Sequence, residues 1–155
     1  MQLFEVEVIS INRSSIWEKL DQIIANENNI TYQSISLGKR PLWTWAISSL
    51  IWKLSKIIVL FIPNHLRFNA YASSKSAYLL DRKLRKYNNK YELIMAHSYG
   101  ALYPSYQFSS KKRIPFIFDI EDYHPGEAVA DGTDNEVKRR EFIMRKILPK
   151  ASFIT

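Results

Sequence analysis

Residues 115–127 have the sequence PFIFDIEDYHPGE, in which a short apolar run leads directly into four carboxylates, a histidine and a Pro-Gly turn. The apolar part predicts a buried strand over residues 114–120. In open α/β sheets, ligands bind outside the carboxyl ends of parallel strands, so polar side chains crowded at such an end indicate a site. This stretch therefore predicts an α/β fold and the edge of the sheet that carries its chemistry.

Strands and helices alternate along the rest of the chain. Runs of β-branched and apolar residues predict further strands at 4–11, 30–37, 91–96 and 152–155. Between them, apolar residues at helical spacing predict helices at 14–25, at two places within 41–88, at 98–111 and at 134–150. This alternation predicts βαβ units and a Rossmann-like parallel sheet with flanking helices, in a single domain without an internal boundary.

The composition excludes several kinds of site. Of the 155 residues, 46% are hydrophobic and none is cysteine, so we expect a packed core without disulfides, thiolate metal sites or a cysteine nucleophile. The three histidines are scattered, and we expect neither a metal centre nor a bound cofactor. The first residues lack the regions of a signal peptide, which predicts a protein on the cytoplasmic side of the membrane.

The positive charge is concentrated in the middle of the chain. The formal net charge is +7, and residues 1–118 carry sixteen basic against seven acidic side chains. Between Lys39 and Lys90, Asp81 is the only acid among eleven basic residues. Such a field attracts an anionic partner, which leaves nucleic acid, an acidic membrane or a phosphorylated substrate as alternatives.

Four segments match motifs of one known family, in pattern and in order. FEVEVIS at 4–10 is similar to the second strand of that family, and YELIMAHS at 91–98 is similar to its D-x-I-H-A-H strand and loop. IPFIFDIEDYHPGE at 114–127 and the helix and strand at 140–155 are similar to its later motifs. On these residues the chain resembles the N-terminal, acceptor-side domain of GT-B fold glycosyltransferases of family 4.

The chain also departs from this family. Met95 stands where many members have a histidine, Glu121 replaces an arginine and His124 replaces a tryptophan. Members have one more strand with a glycine-bearing loop before the first matched segment, and a donor-binding domain after the last. The resemblance therefore implies a partial domain that lacks its first, central strand and the donor-binding half, and that is inactive alone.

The resemblance and the strand-end positions together nominate the site residues. Asp122 and His97 are the predicted catalytic residues, with Asp122 binding substrate hydroxyls or acting on the acceptor proton. The structural alternatives are that Asp122 caps a turn, that His97 bonds to backbone at the core's edge, and that the neighbouring glutamates keep a loop solvated. Asp119 is expected to be a structural carboxylate. The predicted substrate-binding residues are Glu121, Glu127, Ser98, Gly100 and His124.

The segment 42–62 is a second candidate for function. A helix there would have one apolar face, formed by Trp43, Ala46, Ile47, Leu50, Ile51, Leu54, Ile57, Ile58 and Phe61. A membrane-spanning helix would bury Lys53 near its middle, at a cost of about 2.5 to 3.5 kcal/mol. Two interpretations remain open. The helix either lies in the membrane interface, with Trp45, Trp52, Lys53 and Lys56 at the headgroups, or packs its apolar face against the sheet.

The sequence leaves two classes of function open. The first is a retaining glycosyltransferase that uses a nucleotide-sugar donor as co-substrate and a glycan or polyprenyl-phosphate-type acceptor in cell-envelope polysaccharide or glycolipid synthesis, as the resemblance implies. The second is a non-catalytic module that binds a membrane or polyanion, peripheral at the inner face of the membrane. No nucleic-acid-binding signature and no Gly-x-Gly-x-x-Gly after a strand occurs in the sequence, so we expect neither a nucleic-acid partner nor a nicotinamide dehydrogenase.

Overall fold

A computed structural model describes residues 4–12, 14–37, 42–88, 90–120 and 134–155. It has an α/β fold with parallel strands and flanking helices, as the sequence predicts. The chain divides into two compact units, residues 1–47 and 48–155, which are described separately. The division falls inside a helix, where the sequence has no linker to mark it.

The first unit contains a parallel βαβ element. Strand β1 (Glu7–Asn12), helix α1 (Ser15–Glu27) and strand β2 (Thr31–Ser36) follow one another, and the strands pair in register over their full length. Ser14 caps α1, because its side-chain oxygen accepts a hydrogen bond from the backbone N–H of Ile16 at 3.3 Å. The predicted elements are confirmed, with boundaries displaced by a few residues.

A polar cluster ties α1 to the strands of this unit. The hydroxyl of Tyr32 on β2 donates to Asp21 of α1 at 3.0 Å, and the side-chain amide of Asn12 on β1 lies 2.6 Å from the same hydroxyl. Burial is the largest cause that raises the pKa of Tyr32. These bonds satisfy polar groups that would otherwise be costly to remove from water.

The second unit begins within helix α2 (Leu42–Phe61). Helices α3 (Leu66–Ser73) and α4 (Lys75–Leu84) follow it, so the prediction of two helices between residues 41 and 88 is wrong. The third helix arises because Ser74 has extended backbone angles (φ −149°, ψ 128°) and interrupts the helical path. The remaining elements are β3 (Ile94–His97), α5 (Tyr99–Lys112), β4 (Phe116–Asp119), α6 (Asp134–Ile147), a short 3-10 turn (Leu148–Lys150) and β5 (Phe153–Ile154).

Strands β3, β4 and β5 form a parallel sheet in that order, with β4 in the centre. The core of this unit surrounds β4. Phe116 and Phe118 are two residues apart on the strand and are fully buried with Leu102 of α5 and Ile143 and Ile147 of α6. Each such side chain contributes about 1.5 to 3 kcal/mol through removal of its apolar surface from water. The described strands thus pair as a two-stranded and a three-stranded sheet, whereas the sequence predicted one sheet.

Buried tyrosines surround a buried carboxylate in the second unit. Asp81 of α4 accepts a hydrogen bond from the Tyr71 hydroxyl and two from Arg85, at 2.6 and 3.1 Å. Tyr103 packs edge-on against Tyr71 with ring centres 6.0 Å apart. Burial raises the pKa of Tyr71, Tyr99 and Tyr103, and the hydrogen bond to Asp81 adds to the rise at Tyr71.

These tyrosines should make the protein sensitive to alkali. Tyrosines of the unfolded chain lose their protons near pH 10.0, while the buried ones keep them to higher pH. The folded state then binds more protons, so the free energy of unfolding falls as pH rises above that value, by about 1.4 kcal/mol per pH unit for each tyrosine. A Tyr71→Phe/Tyr103→Phe variant should show a shallower slope, by at most about 2.7 kcal/mol per unit, in urea unfolding followed by circular dichroism.

Tyr106→Phe is the matched control for this experiment. The hydrogen bond from Lys150 lowers the pKa of Tyr106, so replacement of this tyrosine should not flatten the decline of the free energy of unfolding above pH 10. Equal slopes for the wild type and the Tyr71→Phe/Tyr103→Phe variant would contradict the assignment.

Candidate functional site

A histidine and an aspartate face each other at the carboxyl edge of β3 and β4. His97 ends β3, Asp119 ends β4, and the two are register partners in the parallel pair. The Nδ1 atom of His97 lies 2.8 Å from an Asp119 carboxylate oxygen. The other oxygen accepts a hydrogen bond from the Thr155 hydroxyl at 2.7 Å, just after β5. Three adjacent strand ends therefore contribute to one cluster.

This geometry orients the imidazole ring. When Nδ1–H donates to the carboxylate, the neutral ring has its lone pair on Nε2. The His97 side chain is 56% exposed and the Asp119 side chain is 26% exposed, so a ligand at the edge can reach the ring while the carboxylate stays shielded. The pair can accept a proton from a substrate hydroxyl or place a positive charge beside a developing negative one.

Ser98 links β3 to α5 through a strained backbone conformation. Its φ of 67° and ψ of 153° fall in a region that is almost restricted to glycine, at a cost of about 1 to 3 kcal/mol for other residues. Ser98 is exposed and is the N-cap of α5, although its side chain makes no capping hydrogen bond. The positive end of a 14-residue helix therefore begins directly after His97.

Gly100, predicted to contact substrate, lies against the start of α4. A Cβ atom at this position would be 3.0 Å from the Cβ of Ser76 and 3.2 Å from the hydroxyl of Ser74. The absence of a side chain thus lets α5 approach α4 closely. Its contact with a substrate stays a prediction.

An arginine from α6 packs behind the start of α5. The guanidinium of Arg140 lies 5.2 Å from the ring centre of Tyr99, the residue that follows Ser98. Its Nε atom is 3.4 Å from the buried carboxylate of Glu136, which also pairs with Arg139. This cluster connects α6 to the start of α5, directly after the strained residue Ser98.

The remaining predicted residues of this edge cannot be placed. Asp122, Glu121, Glu127 and His124 all lie outside the described residues. Within the ranges that the structure describes, no group of three His, Asp or Glu side chains is arranged to hold a metal ion.

Sequence reasoning missed two members of the cluster, Asp119 and Thr155. Asp119 was expected to be a structural carboxylate, and it does accept a hydrogen bond from Thr155, but it also pairs with His97. The positions of the two residues in the sequence could have indicated the pair. His97 and Asp119 each end a short apolar strand, and adjacent parallel strands end at the same edge of a sheet.

Helix α2 buries mainly small polar residues, unlike an ordinary core helix, which buries its apolar face. Its buried residues are Ser48, Ser55 and Val59. Most of the predicted apolar face lies outward, with Trp43 and Phe61 each 80% exposed and Leu50, Leu54 and Ile57 also exposed, while Ile51 and Ile58 are partly buried. The apolar face as a whole therefore does not pack against the core, although Ile51 does. Two small serines allow the polar side to approach the protein instead.

The tryptophans and lysines predicted to contact a membrane differ in their surroundings. Trp45 and Lys53 are exposed. Trp52 is partly buried, with the ammonium of Lys56 4.0 Å from its ring centre and that of Lys75 5.3 Å away. Such cation–π contacts are worth about 0.5 to 1 kcal/mol at exposed sites and hold the two charges beside the helix. Among the described helices, α2 is long and apolar enough to cross a membrane, judged by length and composition.

No family model, no curated protein and no solved structure matches this chain. The functional interpretation therefore depends on the geometry of the two sites and on the resemblance of the motifs.

The strain at Ser98 leads to a prediction. Ser98→Gly should increase the free energy of unfolding by about 1 kcal/mol, because relief of the strain exceeds the entropy that glycine adds to the unfolded chain. Ser98→Ala keeps a Cβ atom in the same conformation, so it should change stability by less than about 0.5 kcal/mol. Urea unfolding of the two variants measures the difference, and equal stabilities would show that the residue is unstrained.

Proposed function

We propose that the chain is the acceptor-side part of a GT-B fold glycosyltransferase that resembles family 4. It would take part in transfer of a hexosyl group, with retention, from a nucleotide sugar to a glycan or polyprenyl-phosphate-type acceptor in cell-envelope polysaccharide or glycolipid synthesis. The observation that carries the proposal is the His97–Asp119 pair, 2.8 Å apart at the carboxyl edge of two parallel strands. Ligands of open α/β sheets bind at this edge.

The strand order within each unit supports the fold part of the proposal. A doubly wound sheet has the order 3-2-1-4-5-6. That order contains a neighbouring pair of strands, 3-2, and a run of three, 4-5-6. The described strands pair as β1-β2 and as β3-β4-β5. Fold alone does not imply function, so the argument for chemistry stays with the strand ends.

The proposed roles follow from the geometry of the edge. In the transfer, the bond between the anomeric carbon and the diphosphate oxygen breaks and the nucleoside diphosphate leaves, while the acceptor hydroxyl oxygen bonds to that carbon and its proton passes to Nε2 of His97. Nε2 of His97 would hydrogen-bond that hydroxyl, with Asp119 fixing the ring. The start of α5 at Ser98 offers a positive helix end to a phosphate. Asp122, three residues after Asp119, stays the predicted carboxylate for substrate hydroxyls.

The test uses the longest reading frame that contains these 155 residues, incubated with nucleotide sugars and lipid-linked or glycan acceptors. We expect release of the nucleoside diphosphate that depends on the acceptor. His97→Gln and Asp119→Asn should lower kcat by roughly 100-fold or more, the usual contribution of a positioned acid or base.

His65→Asn is the matched histidine control. His65 caps α3 through its ring, and asparagine is a good N-cap, so this variant should keep its activity. Stop codons directly at both ends of the 155 residues, no consumption of any donor, or full activity of the His97→Gln variant would overturn the proposal.

A second candidate function, a peripheral membrane module, rests on the exposed apolar face of α2. The apolar side chains with the largest exposed fractions on this helix are Trp43, Leu60 and Phe61. Contiguous exposed apolar surface of this kind marks a binding surface for a membrane or a protein. The partner we propose is an acidic membrane at the cytoplasmic face, because basic side chains accompany the apolar ones.

The charges lie beside this face. Lys53 and Lys56 belong to α2 itself, and Lys75 reaches it by donating a hydrogen bond to the Ser49 hydroxyl at 2.9 Å. Each lysine near an acidic bilayer surface adds about 1 kcal/mol of attraction. An interfacial position avoids burying Lys53 in hydrocarbon, which favours a helix lying on the membrane over one that spans it.

Vesicle flotation tests this second function. The protein should float with vesicles that contain phosphatidylglycerol and bind less to pure phosphatidylcholine. Leu50→Gln/Ile57→Gln should weaken binding by at least about 10-fold, because each side chain would lose about 1.5 to 3 kcal/mol of burial. Leu93→Gln/Ile154→Gln removes two apolar side chains that are also exposed but lie outside α2, and it should bind normally. Flotation that is absent, or equal for both variants, would contradict this function.

A further inference from the structure

A cleft of about 400 Å³ lies at the ends of three helices in the second unit. Four basic side chains line it: Arg67 of α3, Arg85 at the end of α4, and Lys111 and Lys112 at the end of α5. Of the described residues that line the cleft, none is acidic. Side chains up to 45 positions apart in sequence therefore bring four positive charges to one concave surface, and one of them, Arg85, is paired with the carboxylate of Asp81.

The basic cleft is separate from the candidate active site. Helix α5 begins beside His97 at the carboxyl edge of the sheet and ends at Lys112, next to the amino end of β4. Its 14 residues span about 20 Å at 1.5 Å per residue. The cleft thus opens at the opposite edge from the His97–Asp119 pair.

The two guanidinium groups are held in place by buried partners. Arg67 donates from Nε to the Tyr103 hydroxyl at 3.2 Å, and Arg85 donates from Nε and Nη2 to Asp81. A guanidinium has five N–H donors, so these bonds position each group and leave further donors for a ligand. Arginines fixed in this way lose little entropy on binding a phosphate.

Helix dipoles do not account for this set of charges. Lysines and arginines in the last turn of a helix are stabilised by its negative end, which explains Arg85, Lys111 and Lys112 individually. Arg67 is the second residue of α3, where the helix dipole disfavours a cation. The hydrogen bond to Tyr103 raises the pKa of Arg67, whereas the positive charge of Arg85 acts to lower it. An anion in the cleft would relieve this repulsion.

The rest of the lining indicates the kind of anion. Leu84, Tyr87 and Phe108 supply an apolar and aromatic wall beside the charges. A cleft of this volume lies in the range of small-molecule sites, about 300 to 1,000 Å³. Lysine and arginine together are the usual ligands of phosphate groups. We propose that the basic cleft binds a small molecule that carries a diphosphate group, at a site distinct from the proposed transferase site.

Calorimetric titration of the intact chain with inorganic pyrophosphate tests the proposal. At about 150 mM NaCl we expect saturable binding of one pyrophosphate per chain. Lys111→Gln/Lys112→Gln should weaken it at least about 10-fold, because two of the four charges are lost. Arg82→Gln/Lys138→Gln removes the same charge from exposed positions outside the cleft and should change binding less than about two-fold.

His97→Gln separates this proposal from the proposed function. This variant should bind pyrophosphate normally, since the two sites lie at opposite edges, and amide resonances of Arg85 and Lys111 should shift on binding rather than those of Ser98 and Tyr99. No saturable binding at about 1 mM pyrophosphate, equal weakening by both double variants, or loss of binding in His97→Gln would overturn the proposal. Circular dichroism of each variant establishes that it is folded.

Discussion

The burial of β4 between two parallel neighbours is the constraint on which the second unit depends. Phe116 and Phe118 occupy one face of this strand and are removed from solvent together with side chains of α5 and α6. A slip of one residue would turn both rings to the other face, so the register of β4 is strongly determined. That register places Asp119 opposite His97 and brings Thr155 to the same carboxylate. The packing of the core thus decides the geometry of the candidate active site.

The same unit separates its charges by position. The carboxyl edge holds a histidine, a carboxylate and the positive end of α5, while the amino edge holds the basic cleft at the ends of α4 and α5. Because α5 runs antiparallel to strand β3, which it follows, the lysines in its last turn lie at the edge opposite the strand ends. One arrangement of elements therefore places two groups of different chemistry at opposite edges, the His97–Asp119 pair and the basic cleft that we propose binds an anion.

Helix α2 shows that an amphipathic pattern does not say which face is buried. Its apolar stripe has one member, Ile51, that packs against the core, yet the fully buried residues of the helix are Ser48, Ser55 and Val59. The hydrophobic effect favours burial of the opposite face, so the exposed surface stays energetically unfavourable until something covers it. The acidic membrane that we propose as the partner would match both the apolar side chains and the lysines around Trp52.

The sequence by itself determined the class of fold and most element positions, because the periods of strands and helices are encoded in consecutive residues. It also identified His97 as a strand-end residue. Only the tertiary structure decided that Asp119 and Thr155 complete its cluster, that Ser74 divides two helices, and that Arg67 meets Lys111 in one cleft. These features depend on register and on contacts between segments far apart in the chain, which local periodicity does not specify.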